Sequence, residues 1–197
     1  RRVDPRKGGG APAAAAKASA AQKKKARTSP AATGSGSRAA ARRRVEAARK
    51  LLGTRGLTDT PFVAYVLRAS GDEVAVAGKG AYPDALHRVL VDRGRKIDAH
   101  TARPGDLVFF HSTSDLNGNG RPDDGITMAG VVERVDGSRC VFIAQRAGRV
   151  RRLALDASEA ARVRGADGTV HNTRLVRWPG TAQPLTAGQC FAGFARP

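Results

Sequence analysis

The hydrophobic period of this chain changes once, near residue 95, and that change limits the folds open to it. From residue 38 to residue 92 apolar side chains recur three or four positions apart, the spacing of one helix face. Val45, Ala48, Leu51 and Leu52 do so in "SRAAARRRVEAARKLLG", with Ser37 as cap and Gly53 as stop. Phe62, Val63, Val66 and Leu67 do so in "TPFVAYVLRASG", where Thr60 is placed to cap, Pro61 suits the first turn and Gly71 ends the helix. A third helix is expected from Tyr82 to Asp92 on Leu86, Val89 and Leu90. Beyond it the period is two. "GDLVFFHS", "ITMAGVVERV", "CVFIAQ" and "RVRRLAL" read as four strands, separated by loops rich in Gly, Asp and Asn, and "GQCFAGFA" reads as a fifth strand or a short helix. Helices first and an antiparallel sheet afterwards make an α+β domain, here residues 38–197.

Residues 1–37 have almost no large apolar side chain. A stretch such as "GGGAPAAAAKASAAQKKKARTSPAATGSGS" cannot bury enough surface to offset its ordering entropy, so a disordered basic tail is expected. The chain's net charge of +18 is concentrated near this end, where residues 1–50 hold 15 Lys and Arg against two acids. Such a segment suits an anionic polymer, an anionic lipid or a protein assembly, and equally a plain solvated linker. Sequence-independent nucleic-acid binding is a further reading. It is disfavoured by 5% aromatic content and a single Trp, which leave few platforms for bases. No run of about eighteen apolar residues exists to span a membrane. The excess of Arg over Lys, 27 to 8, fits a GC-rich bacterial genome. The first residue is not Met, which suggests a processed or trimmed product.

Three strings carry a resemblance: "TDTPFVAYVL", the "PGDLVFF" of Pro104 to Phe110, and "TMAGVVERVDG". Together they resemble the papain-like cell-wall peptidases of the NlpC and CHAP type, over roughly residues 42–197. The resemblance implies a papain-like fold, with helices packed on a small antiparallel sheet. It also implies a secreted or periplasmic location. In that family a nucleophilic Cys opens the helix, a His base sits in a string like His-Val-Gly-Val-Val, and a later strand often reads Phe-Ile-His. The matched positions here are Asp59, Met128 and Ala144. A carboxylate does not replace a thiolate in attacking an amide, a thioether accepts no proton, and alanine orients nothing. The resemblance therefore implies a pseudoenzyme. Its role would be to bind or scaffold in the cell envelope, with peptidoglycan or an envelope protein as partner. An active peptidase with a non-standard residue set is the alternative, and His111, at the end of "GDLVFF", is the residue to watch for it. His87, His100 and His171 read as surface or capping residues. Cys140 and Cys190 lie in the apolar strings "RCVFI" and "QCFAGF" and read as core thiols or one disulfide, not as nucleophiles.

The loop "DLNGNGRPDDG" has the pattern of the first part of a calcium loop. Asp115, Asn117 and Asn119 stand at positions one, three and five, Gly120 at six and Asp123 at nine. The carbonyl of Arg121 would fill position seven. The acid expected at twelve is replaced by Ile126, and Asp124 is the substitute at hand. A structural Ca2+ is one reading and an ion-free Asn-Gly turn the other.

Overall fold

A computed structural model describes residues 34–55, 57, 61–76 and 81–197. Three helices come first: α1 (Gly34–Lys50), α2 (Phe62–Ser70) and α3 (Tyr82–Asp92). They are followed by β1 (Lys96–Ile97), a 3-10 turn at Ala99–Thr101, β2 (Leu107–His111), β3 (Ile126–Asp136), β4 (Arg139–Arg146) and β5 (Arg149–Asp156). The chain ends in β6 (Arg174–Val176), β7 (Leu185–Thr186) and β8 (Phe191–Ala195). The fold is α+β, as the change of period predicts. The first helix starts at Gly34, so Ser37 lies inside it instead of capping it. Pro61 is the N-cap of α2, one position earlier than its spacing suggests, and Gly71 closes α2 in the left-handed conformation (φ 77°). The tail up to residue 33, Asp59 and Thr60 lie outside the described residues.

Every pairing in the six-stranded sheet is antiparallel, in the order β1-β8-β2-β3-β4-β5. The last strand therefore returns to the middle and pairs with both β1 and β2. "GQCFAGFA" is a strand because its residues 191–195 fill this gap between two waiting edges. The expected alternation holds poorly on β2, where Leu107, Val108, Phe109 and Phe110 are all fully buried. A strand covered on both faces needs apolar side chains on both. Leu107 and Phe109 join Val63, Val66, Leu67, Leu86 and Leu90 in the core under the helices. Val108 and Phe110 join Phe142, Leu153, Leu155, Leu175, Ala187 and Cys190 on the opposite face. There the small β6–β7 ribbon and the turn before β8 act as a third layer. Full burial of a Phe or Leu stabilises by about 1.5–3 kcal/mol each.

The two glycines in the strings "PGDLVFF" and "AGVV" are packing positions. Gly105 has φ 89°, and a Cβ there would sit 2.6 Å from the Cα and O of Ala41, where α1 crosses the sheet. A Cβ on Gly130 would meet Phe142 at 2.8 Å and the Ile143 carbonyl at 2.9 Å. Arg44, buried on the same side of α1 as Ala48, donates from Nε to the Gly105 carbonyl (2.7 Å) and from Nη1 to Asp72 (2.6 Å). Asp106, next in the string, accepts the backbone N–H of Arg103 and a two-pronged contact from Arg196 (2.8 and 2.9 Å). No helix among the described residues is long and apolar enough to cross a membrane.

Candidate functional site

A cleft of about 330 Å³ opens where α2 and α3 begin. Pro61, Phe62 and Val63 form one wall, Tyr82 and Pro83 a second, and Thr127, Met128 and Gln145 the floor. A second hollow, also about 330 Å³, continues past the shared Thr127, Met128 and Gln145 to Thr113 and Leu175. Thr113 and Thr127 lock the ridge through their hydroxyls (2.7 Å), and the Thr113 N–H donates to Thr127 Oγ1. Burial raises the Tyr82 phenol above its ordinary value, with Glu73 adding in the same direction. The first cleft offers the hydroxyls of Tyr82 and Thr127, the Gln145 amide and backbone, and the second hollow adds the hydroxyls of Thr113 and Ser114 and the Arg146 guanidinium. No carboxylate, imidazole or thiol lies among them.

The structure brings together only some of the residues matched in the sequence. Met128 does reach the cleft, yet it is 8% exposed and packs into the core on the far face of the sheet. Ala144 is turned away, fully buried against Gly130, and its neighbour Gln145 reaches the cleft instead. Successive residues of a strand point to opposite faces, so one step along β4 decides which side chain a ligand would meet. Asp59 falls outside the described residues. His111 is half-buried at the end of β2, its Nδ1 3.4 Å from Ser112 Oγ and its N–H donated to the Cys190 carbonyl. It is not among the described residues lining either hollow.

The other titratable groups have structural surroundings. Cys140 and Cys190 are free, buried thiols. Burial, with the Asp156 charge adding to it, pushes Cys140 up to about 12, and burial pushes Cys190 up to about 11. Neither is a thiolate near neutral pH. His87 is not a surface residue: its ring meets the ring of Phe109 edge-on at 4.9 Å, and burial lowers its pKa. Trp178 is 4% exposed and donates Nε1 to the Ser112 carbonyl, so it offers no stacking surface.

The loop of residues 115–124 is closed by its own side chains. Asp115 accepts the N–H groups of Gly118 (2.7 Å) and Gly120 (2.9 Å), both glycines having positive φ. Asn117 and Asn119 accept the N–H groups two residues on, and their amides donate to Asp123 at 2.9–3.1 Å. These amide hydrogen bonds hold the Asp123 carboxyl below its usual range. Asp124 accepts the Leu116 N–H, which returns its carboxylate to the start of the loop. Ile126, at the twelfth position, is core. Asn117 and Asn119 thus turn their amide N–H groups, not their oxygens, toward Asp123, and the carboxylates of Asp115, Asp123 and Asp124 do not gather within ligand distance of one another.

One cluster has no counterpart in the sequence reading. Asp156, Glu159 and His171 present ligand atoms within 4.8 Å of one another. His171, which reads in the sequence as a surface or capping residue, is half-buried here. Its partners are 15 and 12 positions away in "LDASEAARVRGADGTVH", with no repeating spacing to mark them. Comparison with protein-family models, with curated proteins and with solved structures found nothing that matches this chain.

Proposed function

We propose that the chain is a non-catalytic papain-like domain of the NlpC and CHAP type that binds or scaffolds in a bacterial cell envelope, periplasmic or secreted. The observation that carries this is the cleft at the start of α2. It is about 330 Å³, and its described lining, with Tyr82, Thr127 and Gln145 as its polar side chains, holds no thiol, imidazole or carboxylate of the kind a peptidase of that family uses. The strings behind the resemblance support the same reading, because Gly105 and Gly130 are needed for packing whether or not chemistry remains. An active peptidase using Asp59 and His111 finds no support in the placement of His111. Mass spectrometry of the soluble products after incubation with purified peptidoglycan tests the proposal. No new fragments are expected, beside an active control, and peptide-bond cleavage products would overturn it.

The basic N-terminal part fits an anionic wall polymer as partner. Arg38, Arg42 and Arg49 form one stripe of α1 and, with Arg103, outnumber the two carboxylates, Glu46 and the Arg49-paired Glu133, that also line a groove of about 500 Å³. Arg38, Arg42 and Arg103 have no carboxylate within ion-pair distance among the described residues. Nucleic acid would use the same charge, without base stacking, and its binding would fall steeply with salt.

The 115–124 loop is proposed to take a structural Ca2+ through Asp115, Asn117, Asn119, the Arg121 carbonyl, Asp123 and Asp124. Calcium is expected to raise the melting midpoint of the protein, and Asp123→Asn to remove that rise. Equal midpoints with and without calcium in the unsubstituted protein would refute the assignment.

A further inference from the structure

The segment that follows β5 folds back on itself, so that side chains from two stretches of chain meet. Asp156 is the last residue of β5, Glu159 lies in the turn after it, and His171 returns beside both before β6 begins. His171 Nδ1 stands 3.0 Å from Asp156 Oδ2 and 3.2 Å from Glu159 Oε2. We propose that Asp156, Glu159 and His171 form a binding site for a divalent transition-metal ion of the zinc type, with Nδ1 and one oxygen of each carboxylate as ligands and water completing the shell.

The donor geometry is the first support. One imidazole nitrogen carries at most one proton, so a hydrogen bond from Nδ1 satisfies one carboxylate oxygen and leaves the other facing it. A cation between the three satisfies all of them at once. Ligands about 2.0–2.2 Å from a tetrahedral zinc lie roughly 3.3–3.5 Å apart, so the two separations from Nδ1 need to open by only a few tenths of an ångström, and the carboxylate oxygens lie within 4.8 Å of each other. Mixed imidazole and carboxylate donors suit zinc, manganese, cobalt or nickel, whereas calcium prefers oxygen alone.

The frame behind the ligands is the second support. Asn172 is fully buried, accepts the Asp156 N–H at Oδ1 (2.9 Å), and donates from Nδ2 to the carbonyls of Asp156, Glu159 and Arg162 at 3.0–3.1 Å. That one side chain fixes the turn carrying both carboxylates against the residue next to His171. Asp156 is further oriented by Ser158, whose N–H and hydroxyl both reach Oδ1, and by the Ser138 hydroxyl at Oδ2. Arg162 holds Glu159 through Nη1, 2.8 Å from each oxygen, and neutralises part of the carboxylate charge.

The third support lies on the other side of the ring. A histidine bound to a metal through one nitrogen commonly offers its remaining N–H to a carboxylate. A Cβ placed on Gly165 would come 3.2 Å from His171 Nε2 and 2.6 Å from Asp167 Oδ1, so the bare glycine leaves the Nε2 edge and the Asp167 carboxylate bordering the same space, with no hydrogen bond between them in this structure. Thr169 orients that carboxylate through its N–H (2.9 Å) and its hydroxyl (2.6 Å). The His171 side chain is 21% exposed and that of Glu159 41%, which gives an ion and its waters a way in.

The experiment is isothermal titration of Zn2+, and separately Mn2+, into the full, untagged chain after metals have been removed with a chelator. One saturable zinc site is expected, weakened roughly tenfold or more by His171→Ala and by Glu159→Gln, and unchanged by Asp98→Asn, an exposed carboxylate outside both loops. Glu159 is partly exposed, so its variant should keep the native circular dichroism and decides the matter if His171→Ala does not fold. A chain that takes up no ion at this stoichiometry, or a Glu159→Gln variant that binds as the unsubstituted protein does, would overturn the proposal.

Discussion

Glu133 is the residue whose environment departs furthest from what its position suggests. It sits in "GVVERVDG" like a solvent-facing member of a strand, yet its side chain is only 7% exposed. Arg49 of α1 and Arg152 of β5 grip it from two sides at 2.6–3.0 Å. Burial by itself pushes the carboxyl pKa up, but the hydrogen bonds from Arg152 and Arg49 outweigh it, and the net shift is below the ordinary 4.5. A depressed folded pKa means that the stabilisation is fully present above about pH 4.5 and is lost as the pH falls through the folded value. Glu133→Gln is expected to cost about 1–3 kcal/mol at neutral pH. The gap between variant and unsubstituted protein should narrow below pH 4.5, as read from urea midpoints along a pH series. A gap that stays constant down to pH 3 would contradict this account. Nothing in the local pattern announces the pair, because a register shift between Val132 and Arg134 alters which way β3 faces.

Among the elements, β2 and β3 carry two of the three strings singled out in the sequence, "PGDLVFF" and "TMAGVVERVDG", and the structure gives those two a mechanical explanation. Gly130 faces Phe142, which stacks on Phe110 at 4.9 Å, so the glycine makes room for an aromatic pair that spans three strands. Gly130→Ala is expected to destabilise by about 1–3 kcal/mol through overpacking. Gly105→Ala should cost at least as much, since it adds a positive φ to a clash with the α1 backbone, which cannot yield as a side chain can. Thermal or urea unfolding of the two variants measures both. A Gly105→Ala midpoint equal to the unsubstituted one would mean that α1 does not pack as described. Helix and strand types were legible in the sequence because they follow from short-range spacing. The places where the expectation slipped are equally physical. Pro61 serves as N-cap in place of a first-turn residue. The continuous apolar run of β2 reflects a sheet covered on both faces, which alternation alone does not reveal.

At the scale of the whole molecule the C-terminus completes the fold. β8 fills the gap between β1 and β2, and the next residue, Arg196, clamps the buried Asp106 with two hydrogen bonds. Arg196→Ala would leave that carboxylate buried beside only the Arg103 N–H, and removing one partner of such a pair costs about 3–5 kcal/mol. A lowered urea midpoint and faster proteolysis near the C-terminus are expected. An unchanged midpoint would show that water reaches Asp106 as well as Arg196 does. The sequence by itself determined the order of the three helices and of strands β2 to β5, the apolar setting of both cysteines and the presence of an Asp-Asn-Gly turn at 115–124, because each depends on residues close together along the chain; the short β1, β6 and β7 were not legible in it. Only the tertiary structure decided that β8 enters the middle of the sheet and that the β6–β7 ribbon covers its second face. It also decided that Gln145 reaches the cleft while Ala144 does not, and that Asp156, Glu159 and His171 meet. Those outcomes depend on contacts between segments far apart in the chain, or on a one-residue choice of strand face, and neither leaves a periodic trace in the sequence.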